Sequence, residues 1–203
     1  MGGVAGGDLA ALGKGGRTRV RILDAAAALF ARHGVASVSM GDVAAAVGLR
    51  AGSLYFHFPS KSALADEVLA RGIAEGLAHV QAELDGVAGA TAAVRLRVAI
   101  EAHLVALRQV SDYASVIAQA VADRGVAATA APPLERLYAG LWARLLDDAR
   151  ADGALAPGLD PRLVRDLLFG AMNSLTMRTR DPHDVAEAIA VLIGLDGISI
   201  SHT

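Results

Sequence analysis

Arg50, Ser53, Tyr55, His57 and Lys61 sit close together in the chain and carry side chains suited to one partner chemistry. A guanidinium can pair bidentately with the major-groove edge of guanine, a contact worth roughly 1–3 kcal/mol of base discrimination. Tyr55 and His57 offer hydrogen-bond donors to phosphate oxygens. Lys61 stands near a helix start, where free amides also attract phosphate. Ala51 and Ser53 are small enough to let a backbone approach base edges. Held on one exposed face, such a set suits double-stranded DNA.

The preceding residues supply the holder. Ser39 can cap free backbone amides, and Asp42 three positions later puts negative charge near the positive end of a helix. Met40, Val43, Ala44 and Val47 recur at three- and four-residue steps, which predicts a helix from Met40 to Val47 with one buried face. Gly48 suits the left-handed conformation that ends a helix. Leu49 is placed to plug the corner, and a second short helix is expected to begin at about Arg50. Leu54, Phe56 and Phe58 are expected to point inward. Two helices joined by a tight glycine turn present the second one to a major groove. Upstream, Ile22, Ala25, Ala26, Leu29 and Phe30 form one apolar stripe on a helix expected over 17–33, ended by Gly34. Ser39 and the basic residues Arg17 and Arg19 complete the set of candidate DNA contacts.

The run ILDAAAALFARHGVASVSMGDVAAAVGLRAGSLYFHFPSKSAL, Ile22 to Leu64, resembles the DNA-binding domain of TetR-type transcriptional regulators. The shared features are the Ile-Leu, Ala-Ala and Leu-Phe spacing of the first helix, the Gly34 break and the Asp42-Val43-Ala44 core. Val47-Gly48-Leu49 and Leu54-Tyr55-Phe56-His57-Phe58, followed by Ser60-Lys61, complete the match. It lies within the first third of the chain. Arg50 stands where that family often has a serine or threonine cap, so this helix start leans on a different cap. The resemblance implies a homodimer that binds a palindromic operator and responds to a small-molecule effector. A repressor released by that effector is the expected sign, with an activator of the same family as the alternative.

Charge distribution fits a module that docks by one end. Residues 14–61 hold Lys14, Arg17, Arg19, Arg21, Arg32, Arg50 and Lys61 against Asp24 and Asp42, a net +5. Residues 62–203 carry a net −6, and the whole chain −2. A basic head on an acidic body is the asymmetry expected of a phosphate-binding module. A helical protein- or membrane-surface-binding module is the competing class. The compact glycine turn and short second helix oppose it, since membrane-surface helices carry larger apolar faces.

The 203 residues include no cysteine, which excludes disulfides and thiolate metal sites. No apolar run reaches the ~18 residues needed to cross a bilayer, and the start lacks a signal-peptide pattern. A soluble, cytoplasmic protein is expected. No HExxH, P-loop or metal-ligand spacing occurs, so no enzyme activity, metal or cofactor is expected.

The architecture expected is all-α. A glycine-rich tail at 1–16 is read as disordered; it is either a DNA-reaching arm, together with Lys14, Arg17 and Arg19, or dispensable. A three-helix helix-turn-helix domain follows at 17–61, then a helical ligand-binding and dimerisation domain at 62–203, about nine helices in total. Ser60 caps a long helix extending to about Leu84, weakened by Gly72 and Gly76. Further helices are expected near 91–110, 112–123, 132–151, 161–178 and 183–195, punctuated by Pro132-Pro133, Gly153, Asp160-Pro161 and Asp181-Pro182.

Two sites are expected in the body. The apolar faces Leu163, Leu167, Ala171, Leu175 and Val185, Ile189, Leu192 are candidates for a dimer interface, where two helices from each subunit pack about a two-fold axis. The same faces serve equally as intrachain core. His103, Tyr113, Tyr138, Trp142, Asn173 and Met177 are polar or aromatic groups on or beside apolar stripes. They suit the anchors of a small-molecule pocket, or plain core.

Overall fold

A computed structural model describes residues 13–109, 112–113, 115–116, 132–156, 158–176 and 181–195. Among these residues there are eight helices with defined bounds and no strand. In chain order they are α1 Lys14–His33, α2 Met40–Ala46, α3 Ala51–His57, α4 Lys61–Gly86, α5 Ala92–Gln109, α6 Pro132–Ala151, α7 Pro161–Thr176 and α8 Pro182–Leu192. No helix among them is long and apolar enough to cross a membrane. The helix expected over 112–123 falls largely outside the described residues; Asp112, Tyr113, Ser115 and Val116 are helical.

The chain divides into two compact units, and the boundary falls inside α4 between Gly72 and Ile73. The first unit runs to Gly72, well past the expected boundary at residue 61, and takes in Gln109–Pro132. Its core is built on Ile22, Ala26 and Phe30 of α1, with Leu23 and Ala27 buried beside them. Met40, Val43, Leu54, Phe58, Leu64 and Val68 close it. Each fully buried side chain of this size contributes about 1.5–3 kcal/mol. Helix α1 starts at Lys14, earlier than the tail expected to run to residue 16. It ends at Gly34, whose φ of 76° is accessible to glycine and whose amide donates to the Phe30 carbonyl at 2.8 Å.

The second unit spans Ile73–Arg108 and Pro133–Thr203. Its core draws Val80 and Leu84 from α4, and Leu96, Ile100 and Leu104 from α5. Trp142, Leu145 and Leu146 of α6, Val164, Leu168 and Met172 of α7, and Val185 and Ile189 of α8 complete it. The two Asp-Pro signals act as expected at helix starts. Asp160 Oδ1 accepts from the Arg162 amide, and Asp181 Oδ1 from the His183 amide, each at 2.9 Å.

Candidate nucleic-acid interface

The α2–α3 corner is fixed by local chemistry. Ser39 Oγ accepts from the Asp42 amide at 3.1 Å, while Asp42 Oδ2 accepts from the Ser39 amide at 2.8 Å and from its hydroxyl at 2.7 Å. This reciprocal pair satisfies two amides at the start of α2. Its hydrogen bonds, the Ser39 hydroxyl first, hold the Asp42 carboxyl below its ordinary value. Ser39, one of the expected DNA contacts, is therefore seen as a cap. At the other end of α2, Gly48 adopts φ 69°. Its amide donates to the Ala45 carbonyl at 3.1 Å and the Leu49 amide to the Ala44 carbonyl at 2.8 Å. These two bonds are the 5→2 and 6→1 pattern of a glycine-closed helix end. Arg21 Nη2 also donates to the Val47 carbonyl at 3.2 Å, a tie from α1 that residue spacing did not announce.

Arg50 occupies the N-cap of α3 with extended backbone, and its side chain makes no cap. It is exposed, and its guanidinium has no hydrogen bond or ion pair to another described residue. Ala51 and Ser53 are also exposed, and Tyr55 is 52% exposed. Phe56 corrects the expectation that Leu54, Phe56 and Phe58 all point inward. Leu54 and Phe58 are buried, but Phe56 is 89% exposed. The reason is periodicity: alternate residues share a face in a strand, whereas in a helix residues four apart do, so the middle aromatic turns outward.

The flanking cations divide. Lys61 opens α4 and donates from Nζ to the Ala36 carbonyl at 3.0 Å, leaving two further N–H groups. Arg17 is exposed. Arg19, expected at phosphate, is instead spent inside the first unit. Its guanidinium grips Glu67 with two nitrogens, Nε–Oε1 at 2.8 Å, donates to the His57 carbonyl and lies 4.1 Å from the Phe58 ring centroid. The pair is more than a third exposed, so its worth stays below about 1 kcal/mol. Its effect is positional, tying α1 to the end of α3 and the start of α4. His57 is half-buried, with the Phe56 ring edge-on at 5.7 Å.

Tyr113 corrects a second expectation. It belongs to the first unit, buried in that unit's core, and its hydroxyl donates to Asp24 Oδ1 at 2.7 Å. Arg71 stands over its ring at 5.9 Å and 4.0 Å from Asp24. It is a bracket between α1, α4 and the 112–116 stretch, and it is not among the rings of the second unit.

Of the six expected pocket residues, the second unit brings three together. His103 of α5 and Tyr138 and Trp142 of α6 meet Phe169 of α7, and every pair of the four rings is in contact at centroid distances from 5.3 to 6.2 Å. His103 Nδ1 lies 2.5 Å from the Tyr138 hydroxyl. Burial pushes the Tyr138 phenol above its ordinary value, so it stays protonated at neutral pH. Phe169 was missed because one aromatic on a helix of mixed apolar residues carries no separate signal. The Asn173 side chain and Met177 lie outside the described residues. Among the described residues, no cluster of His, Asp and Glu could hold a metal ion.

The proposed dimer face is rearranged. On α7, Leu163 and Leu167 are 56% and 64% exposed, Ala171 is half-buried, and the Leu175 side chain lies outside the described residues. On α8, Val185 and Ile189 are corrected to core, being 6% and 3% exposed. They pack into their own chain and present nothing to a partner. Leu192 is 81% exposed, and beside it stands Val191, 56% exposed and not anticipated.

Residues 22–68 match the model of a family described as bacterial regulatory proteins, tetR family. Over 197 residues the chain is 30% identical to the HTH-type transcriptional repressor KstR2 of Rhodococcus jostii (strain RHA1), covering 94% of this chain and 95% of that relative. A bacterial regulatory protein in the tetR family from Rhodococcus RHA1 superposes with a TM-score of 0.75 at 19% identity, covering 88% of this chain and 97% of the other. The ketosteroid transcriptional regulator KstR2 of Mycobacterium tuberculosis gives a TM-score of 0.69 at 23% identity, over 86% and 92%. At these identities the two solved structures speak for the fold.

Proposed function

Because this chain belongs to the TetR family of bacterial regulatory proteins, a family of DNA-binding transcriptional regulators, we propose that it is a homodimeric repressor, released from a roughly palindromic operator by a small-molecule effector. The observation that carries the reading is the outer side of α3: an exposed arginine with no hydrogen bond or ion pair among the described residues, at a helix start locked by a glycine corner. The repressor role draws support from the 30%-identical relative, a transcriptional repressor. Activation is the other sign of the same DNA-binding chemistry.

Arg50 reads a base edge in this reading, Ser53 lines the groove wall, and Tyr55, Lys61 and Arg17 meet phosphate. Two copies joined through Leu163, Leu167 and Leu192 would hold their α3 helices about 34–36 Å apart, one turn of the duplex. The effector is an apolar molecule with one hydrogen-bonding end, taken up beside His103, Tyr138 and Trp142. It weakens operator binding only by as much as its affinity differs between the two conformations. Helix α4, shared by both units, is the continuous element available to carry that difference.

The test is an anisotropy titration against pooled duplexes at several salt concentrations. The reading expects selection of a two-fold-related site, with Lys61→Ala weakening all duplexes and reducing the salt slope by about 0.9. A salt-independent signal, or no selection, sinks it. Leu167→Arg combined with Leu192→Arg, both at exposed positions, should yield monomers by light scattering and bind the selected duplex at least about tenfold more weakly. A dimer that survives both changes places the interface elsewhere.

A further inference from the structure

Two residues on α3 are left unused by the packing among the described residues. Phe56 is 89% exposed, a large apolar ring in water, and the ring contact seen for it among the described residues is the edge of neighbouring His57. Gly52 lies four residues earlier, on the same helix face. Glycine is unfavourable within a helix, yet Gly52 is not among the glycines with positive φ, and a Cβ placed there would meet nothing within 4 Å. Neither backbone conformation nor packing within the chain calls for glycine at this position. An exposed ring beside a position that carries no side chain and has open space around it leaves room for something outside the chain.

The surroundings say what that is. The ring has no donor or acceptor, so it cannot serve a phosphate as Tyr55 can. Its face of α3 also carries Ser53, and Arg50 stands at the helix start. In a major groove, the group complementary to an apolar ring is the C5-methyl of thymine. We infer that Phe56 determines specificity by packing on a thymine methyl, with Gly52 as the gap that lets the ring and backbone close on the base edge. The inference rests on α3 entering the major groove. Six residues of helix separate Arg50 from Phe56, about 9 Å at 1.5 Å per residue, so the thymine falls within roughly three base pairs of the one Arg50 reads.

Deoxyuridine tests this directly, because it pairs as thymine does and lacks only the methyl. On a duplex selected by the wild-type protein, each thymine is replaced in turn. One replacement within that window should weaken wild-type binding about fourfold, the equivalent of the ~0.8 kcal/mol of one buried CH₂. In Phe56→Ala the same replacement should have no effect, while the protein melts as the wild type does. Gly52→Ala should melt at the same or a higher temperature, yet bind the selected duplex more weakly and lose the deoxyuridine response. The inference is overturned if no thymine responds in the wild type, or if the response survives in Phe56→Ala. It is also overturned if Phe56→Ala weakens selected and random duplexes alike, which would put the ring against the sugar-phosphate backbone. A wild type that selects no duplex overturns the groove reading itself, an outcome separate from these.

Discussion

In the first unit Tyr55 and Phe56 stand largely in solvent on a helix of seven residues, beside an exposed arginine that has no partner among the described residues. In the second unit His103, Tyr138, Trp142 and Phe169 come from three different helices, and each ring meets the other three. The contrast separates two uses of the same side-chain class. A ring left in water next to an exposed cation is a surface open to an outside partner, and removing it should leave the fold alone. Rings packed on one another hold a core, and any ligand that enters there must be repaid for the contacts it displaces.

Stability measurements distinguish the two kinds of ring. Trp142→Ala should destabilise by about 3–5 kcal/mol in denaturant unfolding, whereas Phe56→Ala should stay within about 0.5 kcal/mol of the wild type. Similar losses in both would erase the distinction. Tyr113→Phe sharpens it with a smaller effect. That hydroxyl bonds to the partly exposed Asp24 within the first unit, so its loss should cost about 1 kcal/mol and leave fluorescence from Trp142 in the native state unchanged. A Trp142 spectral change would instead tie Tyr113 to the aromatic cluster.

How much could be read in advance follows from the range of each interaction. Ser39, Asp42 and Gly48 were legible because their partners lie within a few residues, where backbone geometry dictates the answer. Tyr113 was not, because its partner Asp24 lies 89 residues away. Arg19 read as a phosphate contact by charge alone, and only the fold brings Glu67 to it. On α8, apolar residues cover two faces of one short helix. Spacing could not tell that Val185 and Ile189 turn inward while Val191 and Leu192 stay out. Leu54, Phe56 and Phe58 look alike in the sequence, and only the helical turn separates the exposed middle ring from its two buried neighbours.

The claim on which the account stands is that the outer side of α3 reads base edges. Its most direct measurement is the affinity of Arg50→Ala for the selected duplex, for that duplex changed one base pair at a time, and for random DNA. The account predicts that discrimination disappears at a single base pair, a loss of about 1–3 kcal/mol there, while preference elsewhere in the site persists. Equal losses on selected and random duplexes would reduce Arg50 to one more charge near the phosphates and contradict it.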